Sequence, residues 1–108
     1  MTKLSIITPT YNAEKFIEKN INSVISQGIK DIEHIIVDSI SSDRTIDIVN
    51  KYKDHFSKII VEKDNGIYDA MNKGIKLCEG YYLGMLNAGD KYTPEGLNII
   101  HGYLNSSN

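Results

Sequence analysis

Along the 108-residue chain, short β-branched apolar runs alternate with segments whose apolar residues recur at helical spacing. Leu4-Ser5-Ile6-Ile7-Thr8 reads as a first strand, ended by Pro9, which has no N–H to give a sheet ladder. Between Glu14 and Gln27 the residues Ile17, Ile21, Val24 and Ile25 share one helical face, and Gly28 follows as a terminator. Ile32 to Val37 predicts a second strand. Ser39-Ile40-Ser41-Ser42-Asp43 then supplies loop and capping chemistry before a helix through Ile46, Val49 and Tyr52. Lys58 to Glu62 makes a third strand, and beyond Asp64-Asn65-Gly66 the residues Tyr68, Met71 and Ile75 fall on one helical face. Tyr81 to Leu86 is a fourth strand and Asn87-Ala88-Gly89-Asp90 a turn. Thr93 and Pro94 then stand as N-cap and first residue of a final helix.

Strand and helix repeated four times predict an α/β fold with a mainly parallel sheet flanked by helices, because parallel neighbours need a long return path. Ligands of such sheets bind beyond the carboxyl ends of the strands. Those ends carry Pro9-Thr10-Tyr11-Asn12, Asp38 with its serines, Asp64-Asn65-Gly66, and Asn87-Ala88-Gly89-Asp90. Three of the four sets contain a carboxylate, and carboxylates gathered in one crevice repel unless a cation or a rich set of hydrogen bonds joins them. A divalent metal with a phosphate ligand answers that need.

Composition narrows the field. With 12 Lys+Arg against 14 Asp+Glu, a net charge of −2 and a pI near 5.9, the chain has no cationic field for sequence-independent binding of nucleic acid. The lone Cys78 cannot form an internal disulfide and reads as a buried, inert thiol at a helix end, in keeping with a reducing compartment. No apolar run approaches the roughly 18 to 20 residues of a membrane span. There is no G-x-G-x-x-G, no G-x-x-x-x-G-K-[ST] and no G-x-S-x-G, which disfavours dinucleotide dehydrogenases, P-loop NTPases and nucleophile-elbow hydrolases. His34, His55 and His101 have no shared spacing and read as structural or exposed.

Four segments, taken in order, resemble family 2 glycosyltransferases: Ser5-Ile6-Ile7-Thr8-Pro9-Thr10-Tyr11-Asn12, then Ile35 to Thr45, then Asp64 to Gly74, then Leu86-Asn87-Ala88-Gly89-Asp90. The resemblance covers essentially the whole chain. It implies a GT-A fold of which residues 1–108 form a single donor-binding domain, ending before the acceptor half, with the catalytic base of an inverting transfer beyond Asn108. By the same resemblance Pro9 and Tyr11 line the base pocket, Asp38 and Asp64 hydrogen-bond the nucleoside, and Asp90 ligates Mn²⁺ or Mg²⁺. The family commonly has two adjacent acids after the second strand. Here Ser39 holds the second position, so the nucleobase contact is expected to be weakened or to shift onto Asp38. In the metal motif Asn87 stands where many members have an earlier acid, and it is expected to take over part of that contact.

The implied substrates are a nucleotide-sugar donor, with UDP-sugar favoured, and a saccharide or lipid-linked acceptor in glycan assembly. The implied location is cytoplasmic, at the inner face of the membrane. Plainer readings stand beside these. Asp38 also suits capping the second helix or satisfying loop amides, and Asp64-Asn65-Gly66 reads equally as an ordinary turn. Asn72 and Lys73 fit a locally bonded helix end, with phosphate open to Lys73 as another partner. The rival of a different class is a non-catalytic flavodoxin-like or receiver-like module binding Mg²⁺ or a protein. Such a module would want an acid pair after the first strand, where Thr10-Tyr11-Asn12 stands. An open sheet edge would also favour self-association into a homo-oligomer.

Overall fold

The computed structural model describes residues 4–80 and 82–89. In chain order the elements are β1 (Leu4–Thr10), α1 (Ile17–Ile25), β2 (Ile32–Asp38), α2 (Thr45–Lys51), β3 (Lys58–Val61), α3 (Ile67–Leu77) and β4 (Tyr82–Met85). The strands form one sheet in the order β3-β2-β1-β4, with every neighbouring pair parallel. The final helix expected from Thr93 and Pro94 lies outside the described residues. Among the described residues no helix is long and apolar enough to cross a membrane.

Pro9 does not end the first strand. β1 continues to Thr10, with Pro9 opposite Val37 of β2. The hydrogen-bond parity explains why. The Ser39 amide donates to the Thr10 carbonyl on the β2 side, whereas the Leu86 amide donates to the Ile7 carbonyl on the β4 side. Pro9 shares the parity of Ile7, so its missing N–H would have faced β4, and pairing with β4 stops at Ile7 and Met85. No ladder bond is lost.

The strand pleat sorts the core onto two faces. Ile7, Ile35 and Val37 pack with Ala70 of α3 on one side. On the other, Leu4 and Ile6 pack with Val24 of α1, and Ile36 with Ile17 and Ile21 of α1 and Val49 of α2. Gly28 at φ +66 follows α1, as its place in the sequence predicts. Cys78 is half-buried at the end of α3 and donates to the Ile75 carbonyl, so it is less enclosed than expected.

Two buried polar assemblies tie the sheet together. Ser5 Oγ donates to Glu33 Oε1 at 2.8 Å, and that carboxylate also takes the Glu79 amide at 2.7 Å while the Gly80 amide donates to Ser5 Oγ. On the helical face of α1 and α2, Thr8 Oγ1 meets His34 Nε2 at 2.8 Å and His34 Nδ1 meets His55 Nε2 at 2.9 Å. The two histidines that looked unrelated in sequence are therefore direct partners. Burial, reinforced by His55, pushes the His34 pKa down to about 3, and burial also lowers that of His55.

Candidate functional site

β1 continues into β2 and then β3 on one side, while β4 joins on the opposite side of β1. The strand order therefore reverses between β1 and β4. In open α/β sheets the crevice beyond the carboxyl ends at such a reversal is where ligands sit. A cavity of about 440 Å³ lies there, lined by Pro9, Thr10, Tyr11, Ser39, Asp64, Gly66, Ala70, Asn87 and Ala88. Its volume is in the range of small-molecule sites. It draws one or more residues from the end of each of the four strands.

The loops after β1 and β2 are knitted to one another before they reach the cavity. Asn12, in the left-handed region at φ +48, which Asn tolerates, accepts the Ser42 amide on Oδ1 at 2.8 Å. Its own amide donates to Ser41 Oγ at 2.9 Å, and the Ala13 amide to Thr45 Oγ1 at 2.7 Å. Asp43 takes the Thr45 hydroxyl and amide together with the Glu14 amide. Desolvation raises the Asp43 pKa, but these hydrogen bonds outweigh it and hold the carboxyl below its ordinary value.

Four of the five expected nucleotide-binding residues meet at the cavity: Pro9, Tyr11, Asp64 and Asn87. Tyr11 is 64% exposed, so its ring stands at the mouth rather than in the core. Asn87 is fixed through its backbone, the carbonyl accepting from Asn20 Nδ2 of α1 at 3.0 Å. Gly66, at φ +112 and ψ −177, holds a backbone conformation open to glycine, and its amide donates to Asp64 Oδ1 at 3.1 Å.

The fifth, Asp38, does not line the cavity. It is 1% exposed and accepts from Thr10 Oγ1 at 2.6 Å, the Ser41 amide at 2.7 Å and Ser41 Oγ at 2.6 Å. The pleat is the reason: Asp38 shares the face of Ile36 toward α1 and α2, and the next residue along turns the other way. That residue is Ser39, which lines the cavity and accepts the Asp64 amide at 3.4 Å. The expected shift of a nucleobase contact onto Asp38 is thus not what the geometry offers, and Ser39 occupies the wall itself.

Asp90, the expected metal ligand, lies outside the described residues. Among the described residues no group of three His, Cys, Asp or Glu could hold a metal ion. Asp64 is the acidic residue that the described cavity presents.

The model of the family described as "Glycosyl transferase family 2" matches residues 5–106. The chain belongs to glycosyl transferase family 2. Among curated members it is 40% identical over 105 residues to the UDP-Glc:alpha-D-GlcNAc-diphosphoundecaprenol beta-1,3-glucosyltransferase WfaP of Escherichia coli, covering 94% of this chain and 41% of WfaP. Among solved structures of this fold, Staphylococcus aureus TarS 1–349 in complex with UDP-GlcNAc superposes with a TM-score of 0.88 at 28% identity. It covers 97% of this chain and 32% of TarS 1–349. The mannosyltransferase PcManGT of Pyrobaculum calidifontis, in complex with GDP-Man and Mn²⁺, shares the fold with a TM-score of 0.80 at 22% identity, covering 88% of this chain and 30% of its own. The fold of this family 2 chain is therefore GT-A, and the receiver-like alternative falls away. The chain spans less than half the length of each of these relatives.

Proposed function

We propose that this chain is the donor-binding part of a glycosyltransferase that takes a nucleotide-diphospho-sugar, with UDP-sugar favoured, into the cavity between the β1 and β4 strand ends. The observation that carries the reading is the convergence of Pro9, Tyr11, Asp64 and Asn87 on one cavity at the topological reversal of the sheet. Support for the ligand class comes from TarS, whose complex holds UDP-GlcNAc, and from WfaP, named for a UDP-glucose donor.

The chemistry of the wall fits such a ligand. Pro9 and Tyr11 offer apolar surface on which a nucleobase stacks, and Tyr at the mouth keeps its hydroxyl in water. Asp64 supplies a carboxylate that accepts from ribose hydroxyls or a base N–H. Ser39 and Asn87 each both donate and accept. Asp38 acts one layer below: through Thr10 and Ser41 it holds the β1 and β2 ends in register, so that Tyr11 and Ser39 reach the cavity together.

Mn²⁺ or Mg²⁺ would stabilise charge on the leaving diphosphate, with Asp90 as the residue proposed to hold it. The acceptor is a saccharide or lipid-linked saccharide, the transfer inverting, and the base that deprotonates the acceptor hydroxyl belongs to sequence beyond Asn108. The setting is glycan assembly at the cytoplasmic face of a membrane.

The test is to follow backbone amide resonances while UDP is added with Mg²⁺. Shifts concentrated at Tyr11, Ser39, Asp64, Gly66 and Asn87 are expected. Shifts centred on His34 and His55, or none in a folded sample, would overturn the assignment.

A further inference from the structure

Asp64 is a half-buried loop residue, and both peptide units that flank it are pinned. The peptide joining Lys63 to Asp64 is held at each end. Its carbonyl accepts from Lys73 Nζ at 2.7 Å, and its N–H donates to Ser39 Oγ at 3.4 Å. The next peptide is held by the Asn65 amide, which donates to Asp69 Oδ2 at 2.9 Å. Lys73 also reaches Asp69 Oδ2 at 3.6 Å and Glu62 Oε1 at 3.2 Å, so the two anchors are themselves joined. With both peptide planes fixed, the backbone dihedrals of Asp64 are fixed, and so is the direction of its Cα–Cβ bond. The Gly66 amide on Oδ1 then orients the carboxylate.

From this geometry we infer that Lys73 is a positioning residue that, with Asp69, sets the Asp64 carboxylate at the cavity wall and thereby tunes donor affinity. The inference rests on the donor-binding reading above. A direct phosphate contact by Lys73 is the competing role, and the local charge speaks against it. Of the three ammonium donors, the Lys63 carbonyl at 2.7 Å and Glu62 at 3.2 Å engage two, and Asp69 at 3.6 Å adds negative charge without a hydrogen bond. Two carboxylates face this one cation, so the locality is net negative and repels a diphosphate. Desolvation pulls the Lys73 pKa down, but the Glu62 hydrogen bond and the charges of Asp69, Glu62 and Asp64 more than offset it, and the ammonium sits above its ordinary value. The Asp64 charge is thus felt at Lys73 without direct contact. The ion pairs themselves are surface pairs of small individual worth. The bond to the Lys63 carbonyl is the contact that fixes the backbone.

The test uses two readouts, one of which needs no ligand. Amide hydrogen exchange is measured on the wild-type chain, Lys73→Met and Lys73→Arg, and UDP affinity on these three plus Asp64→Ala and the Lys73→Met/Asp64→Ala pair. Lys73→Met is expected to speed exchange at Asn65 and Gly66 by roughly tenfold while β1 amides hold their protection. It should weaken UDP by about fivefold, with Lys73→Arg restoring most of the loss, and should have no further effect once Asp64 is Ala. Unchanged exchange at Asn65 and Gly66 overturns the inference. So does an equal loss of UDP affinity in the Asp64→Ala background, which would make Lys73 a direct ligand contact. If the folded wild-type chain binds neither UDP nor GDP, the donor reading fails, while the exchange arm still decides whether Lys73 orders the Asp64 loop.

Discussion

Asp38 and Ser39 are adjacent in sequence but serve opposite faces of the sheet: Asp38 is closed in by Thr10 and Ser41, and Ser39 opens onto the cavity. Asp38 therefore supports the architecture beneath the site. Removing its carboxylate leaves the buried Thr10 hydroxyl and the Ser41 amide without their acceptor. Asp38→Ala should lower stability by about 3 kcal/mol, read from chemical denaturation. Thr10→Val, which removes one bond of the set, should lower it by about 1 kcal/mol. Equal stability of Asp38→Ala and wild type would show that these contacts contribute little.

The Thr8–His34–His55 chain makes stability depend on pH. Both histidines have folded-state pKa values below the ordinary 6.5, so the unfolded chain binds more protons in that range, and stability is greatest above pH 6.5 and is lost as pH falls. With His34 near 3, its contribution alone should decline by roughly 2 kcal/mol between pH 6.5 and 5. Lys30 and Asp54 are the charged residues that line the small cavity beside His34 and His55. Urea midpoints should fall across this interval in the wild type, and fall less in His34→Gln. A flat profile would contradict the buried neutral pair.

Ile40 holds φ +55 although it is β-branched, and its side chain is 55% exposed. The left-handed region strains such a residue, and little burial compensates. Ile40→Gly should stabilise the chain by about 1 kcal/mol, seen as a higher melting temperature. A drop in melting temperature would mean that the Ile40 side chain makes contacts worth more than the strain.

Two glycines are required by space rather than by dihedral angle. A Cβ at Gly80 would sit 2.6 Å from Ser5 Oγ and 2.8 Å from the Ser5 backbone nitrogen, and one at Gly74 would sit 2.7 Å from the buried Ile7 side chain. Gly80→Ala meets backbone that cannot retreat and should cost about 2 to 3 kcal/mol. At Gly74 the added helix propensity of Ala offsets part of the overpacking, and Ile7→Val in the same chain should recover some of the rest. Thermal melts of the three variants test the order.

The alternation of strands and helices was readable because β-branched runs and helical spacing are local signals. Convergence of Pro9, Tyr11, Asp64 and Asn87 follows from the topology of a parallel sheet, which brings all four strand ends to one edge. What escaped was information carried by neighbours. Whether Pro9 ends a strand depends on which side its missing N–H faces, and only the short reach of β4 answers that. The pleat says that Asp38 and Ser39 diverge, but not which face holds the crevice. His34 and His55 are 21 residues apart, and no local pattern predicts their contact. Lys73 was visible as a locally bonded helix residue, but its hold on the Lys63 carbonyl, and so on Asp64, is tertiary.

The most direct measurement of the central claim is calorimetric titration of UDP into the chain, with and without Mn²⁺, alongside Asp64→Ala and Tyr11→Ala. Saturable binding to the wild type is expected, weakened at least tenfold by Asp64→Ala and several-fold by Tyr11→Ala. Binding of the same strength in both variants, or none to a folded wild-type sample, would contradict a donor site at the β1–β4 crevice.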